Sequence, residues 1–236
     1  KLIRGTKMNK KKLSALLLAG TLTAGVVGGT FAWFTSKDTV TNQFATTGTD
    51  EPGNPDAGIK IEEEFQKPEN VLPGTETNKD VRVKSTANYD QFIKVKFEKK
   101  FVKVDKDENG NEKRTEIKKI QVAGKEYELD TSLIELNFTD YLKDTKAEGT
   151  WFEGEDGYYY YIGKVAGGSY TNMLLDSVTL SSKAGNEYKN LEFDVTVVAD
   201  SIQSSNEAYK DWAPANLQEI YGTLGQDAVA ATKPSN

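Results

Sequence analysis

Period-two alternation of apolar and charged residues is the feature that most restricts what this chain can become. In "FIKVKFE", Ile93, Val95 and Phe97 fall on one side of an extended backbone, and Lys94, Lys96 and Glu98 fall on the other. "VRVKS" repeats the pattern with Val81 and Val83 against Arg82 and Lys84. "LEFDVTVVA" repeats it again, with Leu191, Phe193, Val195 and Val197 against Glu192, Asp194 and Thr196. Alternation of this kind gives a strand one face for a core and one for water, as in half-buried antiparallel sheet. Further strand candidates lie at 58–65, 115–122, 133–138, 158–165 and 173–180. At least eight short strands separated by turn residues predict an all-β fold, an antiparallel jelly roll or β-sandwich. Helix is expected only as short insertions, one of them near 205–212 and stopped before Pro214.

The 236-residue chain is long enough to bury a substantial core. It contains no His and no Cys, so the commonest general base and the usual zinc ligands are both missing. Its Asp and Glu residues are scattered through charged strands, a weak pattern for glycoside chemistry. Residues 1–32 carry six basic and no acidic side chains, which leaves residues 33–236 with a net charge of −12. A body that acidic repels polyanions, so nucleic acid is not an expected partner.

The N-terminus reads as an export signal. From Met8, Lys10–Lys12 form a positive region and Leu13 to Val27 an apolar stretch. Thr30 and Ala32 then place small residues at −3 and −1 of a cleavage site before Trp33. The uncharged run from Leu13 to Ser36 has the length to span a bilayer. Its dilution by Gly and Thr, and the absence of basic residues beyond it, favour cleavage over retention as an anchor. Residues 1–7 do not belong to an ordinary signal and read as an extension upstream of the true start. The remainder divides into an N-terminal strand at 33–47, a Gly-, Pro- and Asp-rich linker at 48–57, a β domain at 58–221 and a loose tail at 222–236.

Two stretches carry chemical signals. Asp105 to Glu116, "DKDENGNEKRTE", fits a calcium loop, with oxygens from Asp105, Asp107, Asn109, Asn111 and Glu116 around the bend at Gly110. Against calcium, the position that is usually apolar is Glu112, and the flanks alternate like strands. The favoured reading is therefore a polar hairpin turning at Asn109-Gly110. The run Tyr158–Tyr161, with Trp151 nearby, offers either a sugar-stacking platform or core and cross-strand aromatic pairs.

The signal-like start, the "TFA" before Trp33 and the "WFTSKDTVTNQFATTG" after it resemble the N-terminus of the TasA/camelysin family of secreted Gram-positive proteins. "DSVTLSSKAGNEYKNLEFDVTVVADSIQ", residues 176–203, is similar to the end of that family's clostridial BsaA-type branch of biofilm-matrix pilins. The resemblance implies processing by a SipW-type signal peptidase and a jelly-roll subunit that polymerises with itself in the extracellular matrix. An accessory matrix protein is a further partner in this picture. It also implies a donor role for residues 33–45, with Trp33, Phe34, Val40, Thr41, Asn42 and Phe44 completing the sheet of the next subunit. Independently of family, Val40 and Phe44 share one side of a strand, as pocket-filling residues of an added strand must. The family also carries a cell-surface metalloendopeptidase label, which a chain without His does not match by any HExxH pattern. A monomeric glycan-binding module using Trp151 and Tyr158–Tyr161 is the remaining alternative.

Overall fold

The computed structural model describes residues 58–65, 71–189 and 191–225, together with residues 35–44 through their backbone pairing. Among these residues the chain is built almost wholly of antiparallel strands. One sheet runs β1 (Thr35–Phe44), β12 (Glu192–Gln203), β4 (Gln91–Lys106), β10 (Tyr159–Ile162), β9 (Thr150–Glu153). The second runs β2 (Ile59–Phe65), β3 (Glu76–Ser85), β11 (Leu175–Leu180), β8 (Ile134–Phe138). The long strand β4 shares one edge between two partners, β10 near its start and β5 (Glu112–Ile117) near its end. A separate two-stranded ribbon joins β6 (Lys119–Val122) to β7 (Lys125–Glu128). The expected strand at 115–122 is thus two strands with a break at Lys118, one on the main sheet and one on the ribbon.

Burial follows the sequence periodicity closely. Val81 and Val83 of β3 are fully buried, as are Ile93 and Val95 of β4 and Val195 and Val197 of β12. Together with Ile59, Leu175 and Val178 they form one core between the two sheets, which makes the fold a sandwich. Phe101 joins this core through Phe193 and Tyr188, whose ring centroids lie 6.3 and 5.1 Å away.

The outer face of the first sheet departs from the simple pattern. Lys94 belongs to the expected water-facing side of β4, yet it is only 8 % exposed. A second apolar cluster covers this face, formed by Phe92, Tyr160, Ile162 and Ile202 under Leu217 and Tyr221. The last two come from helix α1 (Ala215–Gly225), one turn apart on its buried face. The Phe92 and Tyr221 ring centroids are 4.4 Å apart, and the Tyr221 hydroxyl donates to the Tyr161 carbonyl at 2.9 Å. Within the expected helical stretch at 205–212 there is only a 3-10 turn, Ala208–Asp211. The α-helix instead starts just after Pro214, the residue that marked a stop. Proline is well suited to helix beginnings because its missing N–H has no helical partner there anyway.

Candidate functional site

The residues expected to act in assembly meet the domain along one strand. β12 lies between β4 and β1, and it pairs with β1 through ten consecutive residues without a bulge. The register sets Val40 opposite Val197, Asn42 opposite Val195 and Phe44 opposite Phe193. All three β12 partners point into the core. Thr41 stands opposite Thr196, in the alternate register set. Trp33, Phe34 and the cleavage-site residues Thr30 and Ala32 lie outside the described residues. β1 therefore occupies the edge that β12 would otherwise expose, and each ladder hydrogen bond contributes on the order of 1 kcal/mol net.

Charged side chains flank the outer face of β12 near both of its ends, and at one end they bond to it. Near its start, Arg114 of the β4–β5 hairpin donates from Nε and Nη2 to Asp194 Oδ1, at 3.0 and 2.7 Å, and from Nη1 to Glu192. The Asp194 side chain is only 3 % exposed, and Lys100 Nζ approaches its other oxygen at 3.6 Å. Burial works against the charge of Arg114, but its bonds to Asp194 and Glu192 outweigh that and raise its pKa. Near the other end, Lys94 stands opposite Asp200 of β12. Its ammonium lies 4.7 Å from the Tyr158 ring and 4.6 Å from the Trp212 ring, and it donates to the Trp212 carbonyl at 3.0 Å. Another buried ion pair sits in the second sheet: Lys79, on the core face of β3, is fully buried and reaches Glu63 at 2.7 Å. Desolvation lowers the Lys79 pKa against the opposing pull of Glu63.

None of these ionic anchors was identifiable from the sequence as an interacting pair. Arg114 and Asp194 are 80 residues apart, and Arg114 sits in the polar stretch that reads as a calcium loop. The available hint was a charged residue at Asp194, flanked on both sides by apolar strand positions.

The Asp105–Glu116 stretch is the β4–β5 hairpin. Gly110, at φ +84°, closes its turn and donates to the Asp107 carbonyl at 3.0 Å. Asp107 Oδ1 accepts from the backbone N–H groups of Asn109 and Asn111, both at 2.8 Å, and Oδ2 from the Asn111 amide at 3.1 Å. These donors, the Asn111 backbone first, hold the Asp107 carboxyl below the usual range. Asp105 pairs with Lys103 at 2.8 Å, and Glu116 lies opposite Val102, well down the ladder from the turn. Asp107, Asn109 and Asn111 are brought together at the turn, whereas Glu116 is not. Among the described residues no group of three or more His, Cys, Asp or Glu side chains is placed to hold a metal ion.

The aromatic run is largely interior. Trp151 and Tyr160 are fully buried and Tyr161 nearly so. Trp151 packs edge-on against Tyr161 at 5.2 Å and donates its indole N–H to the Asn172 carbonyl at 2.9 Å. Tyr160 donates to Asp156 at 2.7 Å. Stacking on a sugar requires an exposed ring face, which Trp151 and Tyr160 do not have.

Fold and seam together define an all-β sandwich whose N-terminal strand closes the edge of a central, ion-anchored strand. The family model described as camelysin metallo-endopeptidase matches residues 8–156, and the chain belongs to that family. Comparison with curated proteins and with solved structures finds no match. The peptidase description implies a metal, and the donor set of this chain does not fit a zinc site. There is no His or Cys to ligate it, and the described carboxylates do not converge. Among the described residues no helix is long and apolar enough to cross a membrane.

Proposed function

We propose that this chain is a secreted structural subunit that polymerises head to tail, its N-terminal strand completing the β12 edge of a neighbouring copy. The observation that carries this reading is the seam itself. Ten consecutive residues of β1 pair with β12, and the thirteen residues 45–57 that follow contain two Gly and two Pro. Fully extended, such a segment reaches roughly 45 Å, enough to carry β1 to another molecule. The contact is the same whether β1 comes from its own chain or the next. The exchanged form therefore costs mainly the loss of the intramolecular effective concentration. A strand passed head to tail does not close on itself and so builds a filament.

Processing before Trp33 by a SipW-type peptidase would free the strand after export, and the family's secreted or surface location agrees with this order of events. The likeness of residues 176–203 to the clostridial BsaA-type matrix pilins lies outside the matched segment and belongs to this proposal. An accessory matrix protein is its remaining partner. The role is structural and not catalytic: pure protein is expected to leave casein uncut with or without chelator.

The test compares residues 33–236 with residues 48–236 by size exclusion and negative-stain microscopy. Filaments from the longer form and monomers or amorphous aggregates from the shorter are expected. Filaments from the shorter form, or a longer form that stays monomeric at high concentration, would overturn the reading.

A further inference from the structure

We infer that one charge pair, Lys37 of β1 opposite Asp200 of β12, sets the register in which the N-terminal strand docks. Its role between copies rests on the strand-exchange reading above, and there it admits a neighbour's strand at one position only.

The core-side residues leave the register open. β1 places Val40 opposite Val197 and Phe44 opposite Phe193. A slip of two residues keeps every residue on its own side of the sheet. Val40 then stands opposite Val195 or Ala199, and Phe44 opposite Leu191 or Val195. All of these are apolar, and Val195, Val197 and Ala199 are fully buried. The ladder hydrogen bonds also re-form after such a slip, less those lost at the ends.

The outer-side residues do discriminate. Lys37 is the one cation of β1, and Asp200 opposite it is only 8 % exposed. Asp200 also stands opposite Lys94 of β4, so this carboxylate is the middle of a Lys–Asp–Lys row across three strands. A carboxylate so deeply buried stays ionised at low cost only with cations beside it. Slipping β1 by two residues in one direction sets Lys37 opposite Val198, in the row that holds Lys96. Slipping it the other way sets Lys37 opposite Ile202, in the row of the fully buried Phe92. Asp200 then stands opposite Thr35 or Thr39, respectively. Either slip exchanges an opposite-charge pair for a cation against an apolar partner. Asp38, the other charged residue of β1, belongs to the alternate set, opposite Ala199.

The chain has no Cys, so introduced cysteine pairs report the register as disulfides. Thr41→Cys with Thr196→Cys samples the observed register. Thr39→Cys with Thr196→Cys, and Thr41→Cys with Val198→Cys, sample the two slipped ones. Diagonal neighbours lie about 7–8 Å apart, beyond ordinary disulfide reach. Under mild oxidation of residues 33–236, the first pair should link about tenfold more than either of the others. Lys37→Met and Asp200→Asn should each raise the slipped-to-observed ratio about fivefold. Their combination should raise it no further, because both remove the same pair. Lys37→Arg, which keeps the charge, should leave the ratio unchanged. An unchanged ratio in Lys37→Met, an equal rise in Lys37→Arg, or weaker 41–196 linkage with no gain in the slipped pairs would each overturn the assignment. A non-reducing gel shows whether the disulfides lie within or between chains, and so tests strand exchange separately from register.

Discussion

Truncating Arg114 to alanine removes the clamp that fastens the β4–β5 hairpin across the outer face of β12. The side chain makes two hydrogen bonds to Asp194 and one to Glu192. Bonds to charged groups are worth about 1.5–3 kcal/mol each, and removing one partner of a buried pair typically costs about 3–5 kcal/mol. Asp194 is 3 % exposed with Arg114 in place, but Lys100 lies 3.6 Å away, and Glu192, at 22 % exposure, can regain water. These two reliefs place the expected loss near the lower end, about 3 kcal/mol. Urea denaturation followed by tryptophan fluorescence measures it, with an unchanged m-value showing that the unfolding reaction is the same. Arg114→Ala combined with Asp194→Ala should be less destabilised than the sum of the single variants by about 2 kcal/mol, because the orphaned charge is gone. A single-variant loss below about 1 kcal/mol, or strict additivity in the double, would refute the claim that this network anchors β12.

Trp151→Ala should lose about 3–5 kcal/mol in the same assay, since it empties a fully enclosed site and leaves the Asn172 carbonyl without its indole donor. Gly110→Ala should cost about 1 kcal/mol: nothing lies within 4 Å of the added Cβ, so the loss comes from holding alanine at φ +84°. Burial, and secondarily Glu153, pushes Tyr159 up to about 12, and burial also raises Tyr160, Tyr161 and Tyr221. Folded pKa values above the unfolded value of about 10 mean that this stabilisation is complete below pH 10 and is lost as pH rises towards 12 and beyond. Phenolate absorbance at 295 nm should accordingly show a class of tyrosines that ionises only with unfolding, well above the unfolded value. A single class near pH 10 would contradict the burial.

Strands were legible in the sequence where one face meets a core and the other meets water. Val81 and Val83, Ile93 and Val95, and Val195 and Val197 all fell on the expected side. Legibility failed where a second layer covers the outer face. Nothing within "FIKVKFE" distinguishes Lys94, enclosed by Tyr158 and Trp212, from Lys96, because the enclosing residues come from distant parts of the chain. Helix α1 escaped notice for a related reason. Its apolar stripe is short, and Pro214 carries the same weight as the end of one helix or the beginning of another. At the seam, the alternation of Val40 and Phe44 was readable, but their partner was not: pairing with β12 joins positions more than 140 residues apart. The polar stretch from Asp105 to Glu116 matched a ligand spacing, and local chemistry decided its geometry. Its Asn109-Gly110 turn and the alternating flanks hold an extended hairpin.

The antiparallel run of β1 along β12 also fixes how the seam responds to force. Tension applied at residue 45 draws β1 along its own axis, while its hydrogen bonds to β12 lie across that axis. The bonds are then strained side by side in shear, and none can give way alone as the first tooth of a zipper would. The load passes next into β12, which is itself matched to β4 residue for residue along its whole length. A tug on this N-terminal strand is therefore spread across the middle of the sheet and does not peel a single strand from its rim.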